Sequence, residues 1–318
     1  MGKKCALGID LGGTSVKLAV VDEAGQILTS TEIATKAEEG PDKIQERIVE
    51  ASKGLFQDYK PVAAGAAVAG QIVPQTGEVF FAPNLKWHHV PLQKSLTEKL
   101  KMAVFVTEDV RSAALAEWHF GAAKGCKDFI CIFAGTGIGG GIVSGGHMLE
   151  GASNTAGEIG HMIIDMNGPP CTCGNYGCFE AFGSGWAIAS QAQKLVKENP
   201  EKGTTLLKKC KNNASLIDAK MVFEAALEGD LLSHSVVERA KQALVSGAIS
   251  LVNGLNPERL IFGGSISKAI PNLLPAVREG IKKRALKAAQ TNLEVVEAKL
   301  GKEAGVIGAA VFALEKLT

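Results

Sequence analysis

The chain has almost no net charge: 34 Lys and Arg stand against 33 Asp and Glu, a formal +1 over 318 residues. Proteins that grip nucleic acid or an anionic membrane carry a basic excess, so neither partner is expected here. No apolar run approaches the roughly 20 residues needed to cross a bilayer, and no charged segment followed by a long apolar stretch opens the chain. The expectation is a cytoplasmic protein acting on small molecules. Two nucleotide signatures are also missing. No glycine loop runs into Gly-Lys-Ser/Thr at a helix start, and none is followed by an acidic ribose anchor, which disfavours a P-loop and a dinucleotide fold.

Apolar residues are plentiful, at 46%, and at this length two domains around a cleft are expected. Strand patterns at 5–10, 16–21, 62–68, 103–106, 129–133, 259–262 and 293–300 alternate with helical ones, which makes the class α/β. The helical patterns cover 44–55, 92–100, 111–123 ending near Gly125, 186–196, 215–227, 236–255, 270–286 and 305–317. Strand, Gly/Thr turn, strand occurs twice: aligning Gly12 with Gly135 also aligns Val20 with Val143, a weak internal repeat.

Transfer of a γ-phosphoryl group needs backbone N–H groups near the phosphates, a divalent cation and a base for the attacking hydroxyl. Gly12-Gly13-Thr14 and Gly135-Thr136-Gly137 each follow a strand, and the missing side chains let the backbone approach an anion. Tight hairpin closure alone also explains either loop; two matching loops favour phosphate. Asp10 ends the first strand, where a carboxylate is placed to hold Mg²⁺. Asp109 sits at a strand-to-helix junction.

Seven cysteines in a chain without a secretion signal favour metal over disulfides, and three crowd into Cys171, Cys173 and Cys178. With His161 they form a Cys₃His set suited to tetrahedral Zn²⁺, and four protein ligands make the ion structural. Glu158 and Glu180 flank the same loop, and ionised carboxylates accept hydrogen bonds from a polyol.

Four segments, 10–14 (DLGGT), 83–87 (PNLKW), 157–161 (GEIGH) and 171–178 (CTCGNYGC), together resemble the ROK (repressor, open reading frame, kinase) family, along nearly the whole chain. Within it the chain looks most like bacterial glucokinases. The resemblance implies an actin-like, hexokinase-type (ribonuclease H-like) fold, with residues 1–112 plus 302–318 as a smaller domain and 113–301 as a larger one carrying the zinc loop. It implies Asp109 as general base toward a hexose 6-hydroxyl, and Gly70, Asn84, Glu108, Glu158, His161 and Glu180 around the sugar. ATP is expected near Asp10, Gly12, Gly13, Thr14, Lys17, Gly135, Thr136 and Gly137, with adenosine near Gly263, Gly264 and the segment from Gly305. It further implies a homodimer or homotetramer.

One departure stands out. The family usually has Asn-Asp at the catalytic junction, and this chain has Glu108-Asp109. The expected activity is hexose + ATP giving hexose 6-phosphate + ADP, with glucose as substrate; N-acetylmannosamine, N-acetylglucosamine or fructose are the alternatives. A sugar-responsive repressor, also represented in the family, is disfavoured because the DLGGT motif begins almost at the amino terminus, leaving no room for an upstream helix-turn-helix.

Overall fold

The computed structural model describes residues 4–317; the outermost residues of the smaller expected domain, 1–3 and 318, lie outside the described residues. The chain opens with strands β1 (Cys5–Leu11), β2 (Ser15–Asp22) and β3 (Ile27–Ala34), then helix α1 (Pro41–Leu55) and strand β4 (Ala64–Val68). Three short strands follow: β5 (Gln71–Val73), β6 (Glu78–Ala82) and β7 (Trp87–Val90). Helix α2 (Leu92–Leu100), strand β8 (Val104–Glu108) and helix α3 (Asp109–Phe120) complete this stretch.

Strands β9 (Phe129–Ala134), β10 (Ile138–Ser144) and β11 (His147–Met148) come next. Helices α4 (Glu180–Gly183), α5 (Gly185–Glu198), α6 (Thr204–Lys209), α7 (Ala219–Leu227) and α8 (Leu231–Leu255) lead to strand β12 (Arg259–Gly263). The chain ends with α9 (Ser265–Ala269), α10 (Leu273–Arg284), β13 (Glu294–Glu297) and α11 (Ala304–Lys316).

The two large sheets have orders β3-β2-β1-β4-β8 and β11-β10-β9-β12-β13. Numbered within each sheet, both read 3-2-1-4-5, so the internal repeat is one of topology. In the first, β1 and β2 are antiparallel while β1, β4 and β8 run parallel; in the second, β12 is parallel to β9 and β13. The carboxyl ends of β1 and β8 therefore lie on the same edge, where open α/β sheets bind ligands. A third, three-stranded antiparallel sheet, β5-β6-β7, was not expected from the sequence; its strands are short and interrupted by Gly77 and Pro83, so no alternation builds up.

The chain divides into two compact units, Met1–Lys127 with Gly141–Gly157 and Ala298–Thr318, and Asp128–Gly140 with Glu158–Glu297. This differs from the expected boundaries after 112 and 301, because α3 belongs with α11. A methyl group on Gly308 would lie 1.7 Å from the Ser112 carbonyl oxygen, so the two helices touch backbone to backbone. The same helix lies on the sheet: methyl groups on Gly8 and Gly65 would lie 2.0 and 1.8 Å from the carbonyl oxygens of Val306 and Ala309. Small residues on that face let α11 come close, while Leu7, Ile9, Leu18 and Val20 fill the opposite core with Ile44 and Ile48 of α1.

Two expected helices end differently. The 111–123 pattern stops at Phe120, because the buried Glu117 carboxylate accepts the Ala122 N–H (2.7 Å) and draws the chain out of the helix before Gly125. The 270–286 pattern shrinks to α10 (273–284), separated from the short α9 before it by Pro271, which has no N–H to donate and disfavours helical geometry at Ile270. Among the described residues no helix is long and apolar enough to cross a membrane.

Candidate active site

In the first unit the parallel strands deliver two carboxylates to one edge. Asp10 is the penultimate residue of β1, and Asp109 is the first residue of α3, directly after β8. The Asp109 Oδ1 accepts the N–H of Val110 at 2.8 Å, which anchors the carboxylate at the positive end of the helix. Burial pushes the Asp10 carboxyl up from 3.8 to about 6, helped by the Asp109 charge and more weakly by Glu32; Lys17 pulls it down. Lys17 is the cross-strand partner of Asp10 and donates from Nζ to the Lys302 carbonyl at 3.2 Å. Gly305 lets Asp10 sit close, since a methyl group there would lie 2.5 Å from Asp10 Oδ2.

The turn between β1 and β2 carries Gly12, Gly13 and the exposed Thr14 beside Asp10. The Gly12 N–H donates to the Ser15 carbonyl at 3.1 Å. Asn84, exposed in the single turn Pro83–Leu85, lies against the loop: a methyl group on Gly13 would be 3.1 Å from Asn84 Cβ. Gly70 is placed under β6, where a methyl group would meet the Phe81 carbonyl at 2.6 Å, so its glycine is a packing requirement.

Glu108 is buried and turned to a partner the sequence reading missed. Its Oε2 lies 3.3 Å from the guanidinium of Arg111, itself buried. Arg111 also donates to Asn154 Oδ1 and to the carbonyls of Asn154 (2.9 Å) and Ala156 (3.0 Å), and Asn154 Nδ2 donates to the Ile72 carbonyl at 3.1 Å. Removing one member of a buried ion pair leaves an uncompensated charge, at about 3–5 kcal/mol. Glu108→Gln and Arg111→Met are each expected to destabilise by that order, and the double variant by clearly less than their sum. Additive losses in denaturant melts would mean that the pair is not coupled.

In the second unit the other glycine turn is built around Glu180. One carboxylate oxygen accepts the Ile138 N–H (2.7 Å) and the other the Trp186 Nε1–H (3.1 Å). A methyl group on Gly137 would lie 2.5 Å from that carboxylate. The turn closes through Gly135 N–H to the Gly137 carbonyl (2.9 Å), and α5 is tied to it by Gly185 N–H to the Gly135 carbonyl (2.8 Å). Thr136 is exposed at the tip. Gly263 ends β12, and Gly264, with φ of +92°, packs on the Ala134 carbonyl just before the turn. The structure thus gathers Gly135, Thr136, Gly137, Glu180, Gly263 and Gly264.

The loop bearing the cysteines brings its four expected ligands together. Their ligand atoms all lie within 4.8 Å of one another, with Cys173 Sγ to Cys178 Sγ at 3.7 Å and Cys171 Sγ to His161 Nδ1 at 3.8 Å. A sulfur–sulfur bond of about 2.05 Å is excluded; the edge of a tetrahedron with metal–sulfur bonds of about 2.3 Å is roughly 3.8 Å, which fits. Burial pushes the Cys178 thiol up to about 12, so a thiolate there needs a cation beside it. Gly177 has φ of +70° and its Cα faces the Asp165 carbonyl, where a methyl group would lie at 1.7 Å. Glu158 is exposed, and its carbonyl accepts the His161 N–H at 3.1 Å.

The model of the ROK family matches residues 6–316. The chain belongs to the ROK family. It is 37% identical over 314 residues to a glucokinase of Halalkalibacterium halodurans, covering 97% of this chain and 94% of that one. It is also 30% identical over 316 residues to the DNA-binding transcriptional dual regulator NagC of Escherichia coli, covering 98% of this chain and 75% of the regulator. A ROK family glucokinase from Streptomyces griseus, solved in complex with glucose and AMPPNP, superposes with a TM-score of 0.83 at 32% identity, over 98% and 99% of the two chains. The fold is accordingly the actin-like, hexokinase-type α/β fold.

Sequence reasoning about this ROK chain overlooked Arg111, Asn154 and Trp186. Arg111 had a local signal, an opposite charge three residues after Glu108 at a helix start. Asn154 and Trp186 had none, since their partners Arg111, Ile72 and Glu180 are not marked by any spacing.

Proposed function

We propose that the chain is an ATP-dependent hexose kinase acting on the sugar 6-hydroxyl, with glucose as the substrate. The observation that carries it is the pair Asp10 and Asp109 beside the Gly12-Gly13-Thr14 turn, on the edge where parallel strands end. The likeness to glucokinases over nearly the whole chain supports the same reading.

Asp109 accepts the proton of the 6-hydroxyl as its oxygen attacks the γ-phosphorus; the bond from that phosphorus to the bridging oxygen breaks, and ADP leaves with the electron pair. The resemblance assigns Lys17 and the N–H groups of the Gly12–Thr14 turn, and in the second unit those of Gly135–Gly137, to the phosphates. The resemblance to glucokinases assigns Asn84 and Gly70 of the first unit, and Glu158, His161 and Glu180 of the second, to the sugar. Glu180 accepts two scaffold donors, so its first role is to hold the turn at Gly137. Glu108 acts through Arg111, keeping the segment at Asn154 in place.

Asp10 suits a hard cation, because a second carboxylate charge already presses on it. Mg²⁺ there would neutralise phosphate charge when bound. The Cys₃His set suits Zn²⁺ in a structural role: with Nδ1 of His161 turned to the thiolates, Nε2 on the opposite edge of the ring is left to meet a sugar hydroxyl.

Coupled detection of ADP across glucose, mannose, fructose, N-acetylglucosamine and N-acetylmannosamine tests the proposal. The expected result is sugar-dependent release with the highest kcat/KM for glucose. No sugar-dependent release with any of them would overturn the kinase, and a higher value for another hexose would overturn glucose alone.

A further inference from the structure

The direction in which a backbone N–H points is set by the carbonyl of the same peptide, because the peptide is planar and trans and the two groups are opposed. In the β1–β2 turn, two carbonyls are held by one residue. Thr35, wholly buried just past the end of β3, donates its Oγ1 hydrogen to the Gly12 carbonyl at 2.6 Å and its N–H to the Thr14 carbonyl at 2.9 Å. Fixing the Gly12 carbonyl toward Thr35 aims the Gly13 N–H the opposite way, and fixing the Thr14 carbonyl does the same for the Ser15 N–H.

Thr35 is held in turn. Its own carbonyl accepts from the Arg47 guanidinium of α1, and Arg47 is paired with Glu39, whose carboxyl it keeps below the ordinary range. The chain of contacts runs Glu39, Arg47, Thr35, Gly12 and Thr14, entirely within the first unit. Asn84 also packs on the turn, at Gly13. A loop of two glycines has little stiffness of its own, so its shape is supplied by these neighbours.

We infer that Thr35, secured by Arg47, is a positioning residue that fixes the orientation of the Gly12–Thr14 turn for the nucleotide phosphates. The inference rests on the proposed reading of that turn as a phosphate site. Thr35 touches neither substrate. It acts by preorganising donors that would otherwise have to be ordered when ATP binds.

Thr35→Val keeps the shape and the backbone N–H and removes only the hydroxyl. The expected result is a KM for ATP raised roughly three- to tenfold, with the KM for glucose within about twofold of the parent, and near-parental values restored in Thr35→Ser. Arg47→Met should raise the KM for ATP in the same direction, and it carries the test if Thr35→Val does not fold. A merely structural role would lower the melting temperature without separating the two KM values; that outcome overturns the inference. Gly13→Ala, a change in the turn itself, separates the two readings. An unchanged KM for ATP there overturns the phosphate reading and this inference together. A raised value there with an unchanged one in Thr35→Val and Arg47→Met overturns this inference alone.

Discussion

Asp109→Asn is expected to lower kcat by roughly 10²- to 10⁴-fold, the contribution of a positioned general base. The amide keeps an oxygen to accept the Val110 N–H (2.8 Å in the parent), so the start of α3 and the fold survive. KM for glucose and for ATP should move little, because the interaction lost is one made in the transition state. A variant with kcat within threefold of the parent would show that the proton goes elsewhere.

The same substitution has a pH signature. The Asp10 carboxyl is pushed up to about 6 by burial first and the Asp109 charge second, with Glu32 adding to the rise and Lys17 opposing it. A carboxyl raised in the folded state is less stable there in its charged form. Its contribution to stability is therefore most favourable below the ordinary 3.8 and is lost as pH rises to about 6. Asp109→Asn removes one of the causes, so the pH at which this loss ends should move down, as thermal melts from pH 4 to 8 would record.

Removal of the metal has the second large effect. The protein is expected to bind one zinc per chain, and Cys178→Ser to lose it, together with a KM for glucose raised roughly 10- to 100-fold, the usual cost of disturbing the support of a liganding histidine. KM for ATP should change far less. Thiol labelling gives a readout independent of turnover: Cys171, Cys173 and Cys178 should be protected in the native protein and react after chelation, although Cys173 is exposed. A metal-free preparation with the parental KM for glucose would refute the clip.

Much of the candidate site was legible because short-range chemistry wrote it. The proposed zinc ligands Cys171, Cys173 and Cys178 lie within eight residues, and the turn at Gly12 directly follows the strand that ends near Asp10. Spacing of this kind needs no knowledge of distant packing. The alternation of strands and helices likewise follows from local apolar periods, which is why the α/β class and most helices were readable.

What the sequence could not disclose depends on register and on which faces meet. Thr35 reaches Gly12 only because β3 pairs with β2 so that Ala34 stands opposite Ser15. Arg111 reaches Asn154, 43 positions away, only once the 151–157 segment is folded against α3. Glu108 was legible as a departure from the family's asparagine, yet its ion pair with Arg111, and hence its role as a support, was not. By itself the sequence determined the class of fold, and it marked the candidate residues for phosphoryl transfer and for a zinc clip. Tertiary structure alone decided which carboxylates are held by scaffold donors, as Glu108 is by Arg111 and Glu180 by Ile138 and Trp186, because those donors arrive from other parts of the chain.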